Sequence, residues 1–229
     1  MINKYLSKKC RYISNKFENI SRRLYFDPLE KSSLQWHNNL GDLTLRLNYK
    51  DLNSNSHVFD IGGYQGQWAS DIYAKYNCNI YIFEPVNKFY NFISARFENN
   101  NKIRVYPYGL STSDYAANIT LNGASSSTHT KKSNSSSEIA KFKNIKAFLN
   151  ENNIPEVDLM KINIEGGEYD LIDFIIQNNL AFKIKNFQIQ FHNFIDNYEA
   201  KRAKIREDLT KTHIETYCVD YIWENWALK

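Results

Sequence analysis

The sequence predicts an α/β protein with a mostly parallel seven-stranded sheet, helices on both faces, a C-terminal antiparallel strand and an N-terminal helical extension. Three observations carry that expectation. From residue 57 onward, short apolar runs alternate with longer amphipathic ones, the rhythm of repeated β-α units. The first apolar run leads into VFDIGGYQGQW (residues 58–68), whose closely spaced glycines make a strand-to-helix turn. The tail, IETYCVDYIWENWAL, is rich in β-formers with one short break, as a closing hairpin would be.

In chain order, Ile2, Leu6, Ile13, Phe17, Ile20 and Leu24 mostly fall on one helical face, and Asp27-Pro28 would end that helix. Residues 1–26 carry seven Lys and Arg against Glu18 alone, a local charge of +6, which leaves −2 for the rest of a chain whose total is +4. Such a helix suits an anionic membrane surface or an acidic partner, but amphipathic helices more commonly pack on their own domain or on a second subunit. Residues 34–47 read as a further helix, so the helical extension is expected over 1–50 and the sheet domain over 51–229. HVFDI, NIYIFE, KIRVYP, VDLMKIN and KNFQIQFH are the expected strands. QWASDIYAKY, NKFYNFISARFE, SEIAKFKNIKAFLNE, GEYDLIDFIIQNN and DNYEAKRAKIREDLTKT are the expected helices. The serine-rich residues 123–137 read as a loop or lid.

Composition removes several classes. A chain of 229 residues that is 42% hydrophobic, with 16 Tyr and 14 Phe, can bury a full core. Cys10, Cys78 and Cys218 are odd in number and form no CxxC pair, which argues against a disulfide framework or a zinc cluster. The N-terminus lacks the apolar stretch of a secretion signal, and no run is long enough to span a bilayer. A cytoplasmic protein is expected.

In a parallel α/β sheet, ligands bind beyond the C-terminal strand ends, where VFDIGGYQGQW places its turn. Gly62, Gly63 and Gly66 permit a tight bend, close approach of backbone to ligand and a helix N-terminus. Tyr64 stands where the dinucleotide fingerprint has its second glycine, and Asp60 would repel a pyrophosphate while favouring a cationic group. Glu84, 24 residues after Asp60, ends the second strand, where a carboxylate can accept both hydroxyls of a ribose. A ribose partner beside an acidic turn without a phosphate cradle fits S-adenosylmethionine better than NAD. VDLMKINIEGGEYDLI then sets Asn163, Glu165 and Glu168 on the same rim.

VFDIGGYQGQW, YIFEP, YGLS, DLMKINIEGGE and IQFHNF occur in the order and spacing of FkbM-type methyltransferases, and residues 57 to about 195 resemble that family. The resemblance implies a Rossmann-like class I methyltransferase fold and S-adenosylmethionine-dependent O-methylation, commonly of sugar or polyketide hydroxyls. It places Asp60, Gly62, Gly63 and Gly66 in the cofactor turn and Glu84 on the ribose. Pro85 and Val86 would line the adenine side, with Tyr108, Gly109 and Leu110 on its other wall. The family usually reads K-I-D-x-E-G-x-E where this chain has KINIEGGE, so Asn163 replaces an aspartate. Asparagine is a poor ligand for a hard cation and no base, so no metal is expected. Gln190 likewise stands where the family often has glutamate.

His192 is the candidate general base, because a neutral imidazole can remove a hydroxyl proton near pH 7; a structural hydrogen bond at a strand end is the alternative. Glu165 either orients the acceptor or serves as the base, or else caps the next helix, the role expected of Glu168. His129 reads as a solvated loop residue, and the four tryptophans as core or interface anchors. The expected acceptor is a hydroxyl on a small molecule or a sugar of a surface glycan or its precursor. A non-catalytic S-adenosylmethionine-binding scaffold is the alternative. Nucleic acid is not expected as a partner, since the body is net negative and KINIEGG lacks the proline-rich motif of amine methylation. Peripheral membrane contact and a homodimer are further expectations.

Overall fold

The structure, a computed structural model, describes residues 28–120 and 137–229 together with Ile13, Ser14 and Lys16. The rest of the expected N-terminal basic helix, residues 121–136 of the serine-rich loop and His129 lie outside the described residues.

The sheet strands are β1 (His57–Ile61), β2 (Asn79–Phe83), β3 (Ile103–Tyr106), β7 (Leu159–Ile162), β8 (Asn186–Ile189), β9 (His213–Val219) and β10 (Trp223–Leu228). They stand in the order β3-β2-β1-β7-β8-β10-β9, with β10 antiparallel to both its neighbours. The strand order reverses at β1, which pairs in parallel with β2 on one side and β7 on the other. The helices are α1 (Pro28–Asn38), α2 (Gly41–Thr44), α3 (Gln67–Tyr76), α4 (Asn87–Phe97), α5 (Ile145–Glu151), α6 (Glu168–Gln177) and α7 (Tyr198–Leu209). A 3₁₀ turn, Ala181–Lys183, precedes β8.

Central strands covered on both faces read as continuous apolar runs, and alternation divides their side chains between two cores. Phe59, Ile61, Phe83, Met160, Ile162, Phe187 and Ile189 belong to the larger core, with Phe148 of α5 and Ile172 of α6. Val58, Ile80, Ile82 and Leu159 point the other way, onto Trp68 and Ile72 of α3 and Ile93 of α4. Asp60 shares the parity of Val58 and Lys161 that of Leu159, so two opposite charges stand on this mostly apolar face.

Two expected helices are corrected. Residues 34–47 do not form one helix: Leu40 takes a left-handed conformation (φ 51°) and separates α1 from α2. Trp36 of α1 packs with Val219 and Trp223, while the Tyr49 hydroxyl meets the side chains of Gln188 and Asn225, so residues 28–49 cover the β9–β10 hairpin. SEIAKFKN, expected to open a helix, is instead β6 (Ser137–Asn144). It pairs antiparallel with β5 (Tyr115–Thr120) and parallel with β4 (Gly109–Ser111), neither of which the sequence reading separated out. These pairings override the helical preference of Glu, Ala and Lys. The helix starts only at Ile145, where Asn144 Oδ1 accepts from Ala147 N at 2.9 Å.

Phe59 has no exposed surface, and the rings of Tyr81, Phe83 and Phe148 lie 5.2, 5.3 and 5.8 Å from it. Phe59→Ala is expected to lower stability by about 3–5 kcal/mol in urea unfolding. A loss below about 1 kcal/mol would show that these rings do not form one packed cluster.

Candidate active site

Beyond the C-terminal ends of β1, β2 and β7 lies a cleft of about 290 Å³, roofed by the β4-β6-β5 sheet. Gly62 and Asn163 form part of its floor. Asn163 N donates to Ile61 O at 3.1 Å, which holds the two strand ends together. Gly62 has φ +87°, and a Cβ there would stand 2.0 Å from Asn163 O, so only glycine fits this crossing. Gly66, also left-handed, enters α3 against Phe97, and Gly63 packs on Ile82; neither lines the cleft.

Glu84 lines the cleft with Pro85 and Val86, while Gly109 and Leu110 supply the opposite wall. Its Oε2 accepts from Tyr64 N at 2.8 Å and its Oε1 from Val86 N at 2.9 Å. Each oxygen keeps a further lone pair for a ligand hydroxyl. Burial raises the Glu84 carboxyl to about 7, against the lowering effect of those two backbone donors. Tyr108 is a correction: it does not line the cleft, and its half-buried ring lies tilted against Tyr106 and Phe83 at the edge of the larger core.

Asp60 is a second correction, because it does not face the cleft. It is fully buried, and Lys161 Nζ donates to its Oδ1 at 2.8 Å and to Gly62 O at 2.6 Å. Asp60 and Lys161 are register partners on adjacent strands, so the ammonium meets the carboxylate under the glycine turn. The ring centre of Trp68 lies 6.0 Å from the ammonium. Sequence reading missed Lys161, although a lysine inside the apolar run DLMKI is itself a signal of a buried partner.

The third group is Glu165, His192 and Glu168. Glu165 lines the cleft, whereas His192 stands behind it, with Nε2 3.4 Å from Glu165 Oε1 and Nδ1 3.0 Å from Glu168 Oε1. Burial opposes charge on this ring, but the hydrogen bonds and charges of Glu165 and Glu168 outweigh it and raise the imidazole to about 9. The neutral base expected at pH 7 is therefore not the form these surroundings favour. Glu168 opens α6 as expected and is buried against His192 rather than exposed at the helix end. Sequence reading also missed the aromatic lining. Tyr64 meets Phe89 edge-on at 4.6 Å, and Tyr115 stacks on Phe142 at 4.7 Å. The four tryptophans are buried in the cores of the chain itself.

The residues present fit a ligand with a ribose and a cationic end. Glu84 offers acceptors for hydroxyls, and Asn163 Oδ1 is buried with no hydrogen-bond partner. A parallel sheet that reverses at β1, closes with antiparallel β10 and carries such a cleft defines a Rossmann-like class I methyltransferase. The Methyltransferase FkbM domain matches residues 60–221, and the chain belongs to that family of S-adenosylmethionine-dependent methyltransferases. No curated protein matches the chain. Among solved structures it is similar to the METTL16 MTase domain, at 13% identity and TM-score 0.46 over 86% of this chain. The chain spans 66% of that domain's length. It is also similar to M. capricolum TrmK in complex with S-adenosyl-homocysteine, at 14% identity and TM-score 0.46, covering 82% of this chain and 69% of that one. A human methyltransferase 10 domain containing protein is 16% identical, with TM-score 0.44, over 86% of this chain and 80% of its own.

Removing the Lys161 ammonium leaves Asp60 buried without its partner. Lys161→Met is expected to cost about 3–5 kcal/mol in denaturant unfolding, and the double variant with Asp60→Leu to recover most of that. A double variant as unstable as the single one would show that the ion pair is not the source of the loss. Cofactor affinity should also follow Glu84. If Glu84 holds the ribose hydroxyls, its ionised form is the acceptor, and with the free group raised to about 7 that form is lost as pH falls through this value. S-adenosylhomocysteine should therefore bind roughly tenfold more weakly at pH 6 than at pH 8. Glu84→Gln should bind weakly at both values; calorimetry showing the wild-type pH dependence in this variant would acquit Glu84.

Proposed function

We propose that the protein transfers a methyl group from S-adenosylmethionine to a hydroxyl, on a sugar of a surface glycan or its precursor. The observation that carries this reading is Glu165, a carboxylate on the wall of the cleft at the end of β7, with Asp170 of α6 beside it in the lining. Carboxylates accept hydrogen bonds from hydroxyls, and the rings of Tyr64 and Tyr115 give apolar faces for the carbon skeleton of a sugar. The net charge of −2 outside residues 1–26 supports a small or glycan acceptor over nucleic acid.

The bound cofactor supplies an electrophilic methyl group. Glu84 holds the ribose hydroxyls, and the crossing at Gly62 and Asn163 shapes the floor. Glu165 would orient the acceptor hydroxyl and take its proton as that oxygen becomes the nucleophile toward the methyl group the cofactor would supply. Asn163 adds a polar contact in the lining, and His192, expected as the base, stands instead as a cation behind Glu165. The +6 charge of residues 1–26 supports work at an anionic membrane surface on the cytoplasmic side, and no described helix is long and apolar enough to cross a membrane. A scaffold that binds the cofactor without turnover is the second reading, favoured by Asn163 and Gln190, where the family pattern is acidic.

Glu84→Ala is expected to weaken S-adenosylhomocysteine binding by about 1–3 kcal/mol in calorimetry. Tight NAD binding with no S-adenosylhomocysteine binding would overturn the cofactor assignment. Asn163 is a weak ligand for hard cations, and among the described residues no three His, Cys, Asp or Glu side chains are grouped to hold a metal. Methyl transfer to a glycan-precursor panel should therefore survive EDTA; loss on chelation and recovery with Mg²⁺ would make Glu165 a ligand instead. Cofactor binding without transfer to any hydroxyl in the panel would favour the scaffold.

A further inference from the structure

We propose that Glu168 and His192 are positioning residues, which together hold the Glu165 carboxylate at the acceptor end of the cleft. The inference rests on the reading that an acceptor hydroxyl is methylated beside Glu165.

Glu165 has φ +53°, a left-handed conformation that is uncommon for a residue with a β-carbon. Such a conformation persists where the surroundings over-determine it. Three contacts of Glu168 contribute to that constraint, and a fourth comes from Tyr169. Its Oε2 accepts from Gly166 N at 2.9 Å, which ties down the residue next to Glu165. Its Oε1 accepts from His192 N at 2.8 Å and meets His192 Nδ1 at 3.0 Å, fixing both the backbone and the ring of the histidine. The Tyr169 hydroxyl donates to His192 O at 2.7 Å, so the histidine backbone is held on its carbonyl side as well. The far nitrogen of the ring then reaches Glu165.

A carboxylate that served only the helix N-terminus could do so while still hydrated at the surface. Glu168 instead has no exposed side-chain area, and its burial is compensated by the bonds to Gly166 and His192. Each ring nitrogen faces a carboxylate oxygen, Glu168 from α6 and Glu165 from the loop before it. That arrangement is satisfied when both nitrogens carry hydrogen. The ring of Phe194, 5.4 Å away, covers another side. His192 is then a fixed cation that neutralises one of two carboxylates, and Glu165 is the member of the three that reaches the cleft lining. In this arrangement the histidine cannot accept the acceptor's proton.

The test is nuclear magnetic resonance of the histidine rings in the full chain, with His192 assigned by loss of its signal in His192→Gln. The ring is expected to titrate with a midpoint near 9 and to show both nitrogens protonated at pH 7. Glu168→Gln should lower that midpoint by about one unit or more, and Glu165→Gln should lower it as well. Glu168→Gln should leave S-adenosylhomocysteine affinity within about twofold of wild type, because Glu168 does not line the cleft. A wild-type midpoint near the ordinary 6.5, or one that neither variant moves, would overturn the clamp. If Glu168→Gln fails to fold, the wild-type midpoint and Glu165→Gln decide the question alone. Absence of S-adenosylhomocysteine binding in wild type would instead overturn the methyltransferase reading, with the ring titration still interpretable.

Discussion

Asp60 and Lys161 meet across the two central strands at the point where the strand order reverses, and the glycine turn rests on that pair. An ion pair this deeply buried loses most of its hydration, so it holds only if its hydrogen bonds are well made. Lys161 makes two, and the second is to the carbonyl of Gly62, inside the turn. The lysine thus joins β1, β7 and the floor of the cleft through one nitrogen. Shifting either strand by one residue would turn its charge into the opposite, aromatic core and leave the partner's charge unpaired. The pair therefore specifies register as well as position.

Local sequence made much of this architecture legible. HVFDI and QWASDIYAKY were readable to the residue as β1 and α3, because an apolar run, a glycine turn and a helical period follow one another without conflict. What escaped was set by partners far away in sequence. SEIAKFKN is a strand only because β4 and β5 flank it, and nothing within those eight residues announces either neighbour. Asp60 was legible as an acidic residue at a strand end, but its lysine lies 101 positions on, so its direction was not. The protonation preference of His192 depends in the same way on two carboxylates that precede it by a loop, a helix and a strand.

Electrostatics divide the site into two ends. Near the expected ribose, Glu84 has backbone donors but no close side-chain cation in hydrogen-bond contact among the described bonds, and burial works against its charge. At the proposed acceptor end, Glu165 has an imidazole at its back. The Glu84 carboxyl is left sensitive to protons in the neutral range, while Glu165 stands against an imidazole that two carboxylates, against the effect of burial, raise to about 9. The division follows from the fold: Glu84 follows β2 directly, whereas Glu165 sits in a loop that α6 and the segment after β8 can both reach.

The placement of β10 has a consequence for how the chain is made. It is the last strand of the sheet to leave the ribosome, yet it lies between β8 and β9, pairing with both. Until residues 223–228 have emerged, β8 presents a bare edge, and β9 has no neighbour in the sheet. Trp223 and Trp226 are missing from their cores over the same interval. A nascent chain that has already formed the glycine turn and α3 therefore still exposes aggregation-prone backbone. Residues 28–49 precede every strand of the sheet yet pack against the hairpin of its last two strands, so the extension waits for its own binding surface until the sheet is complete.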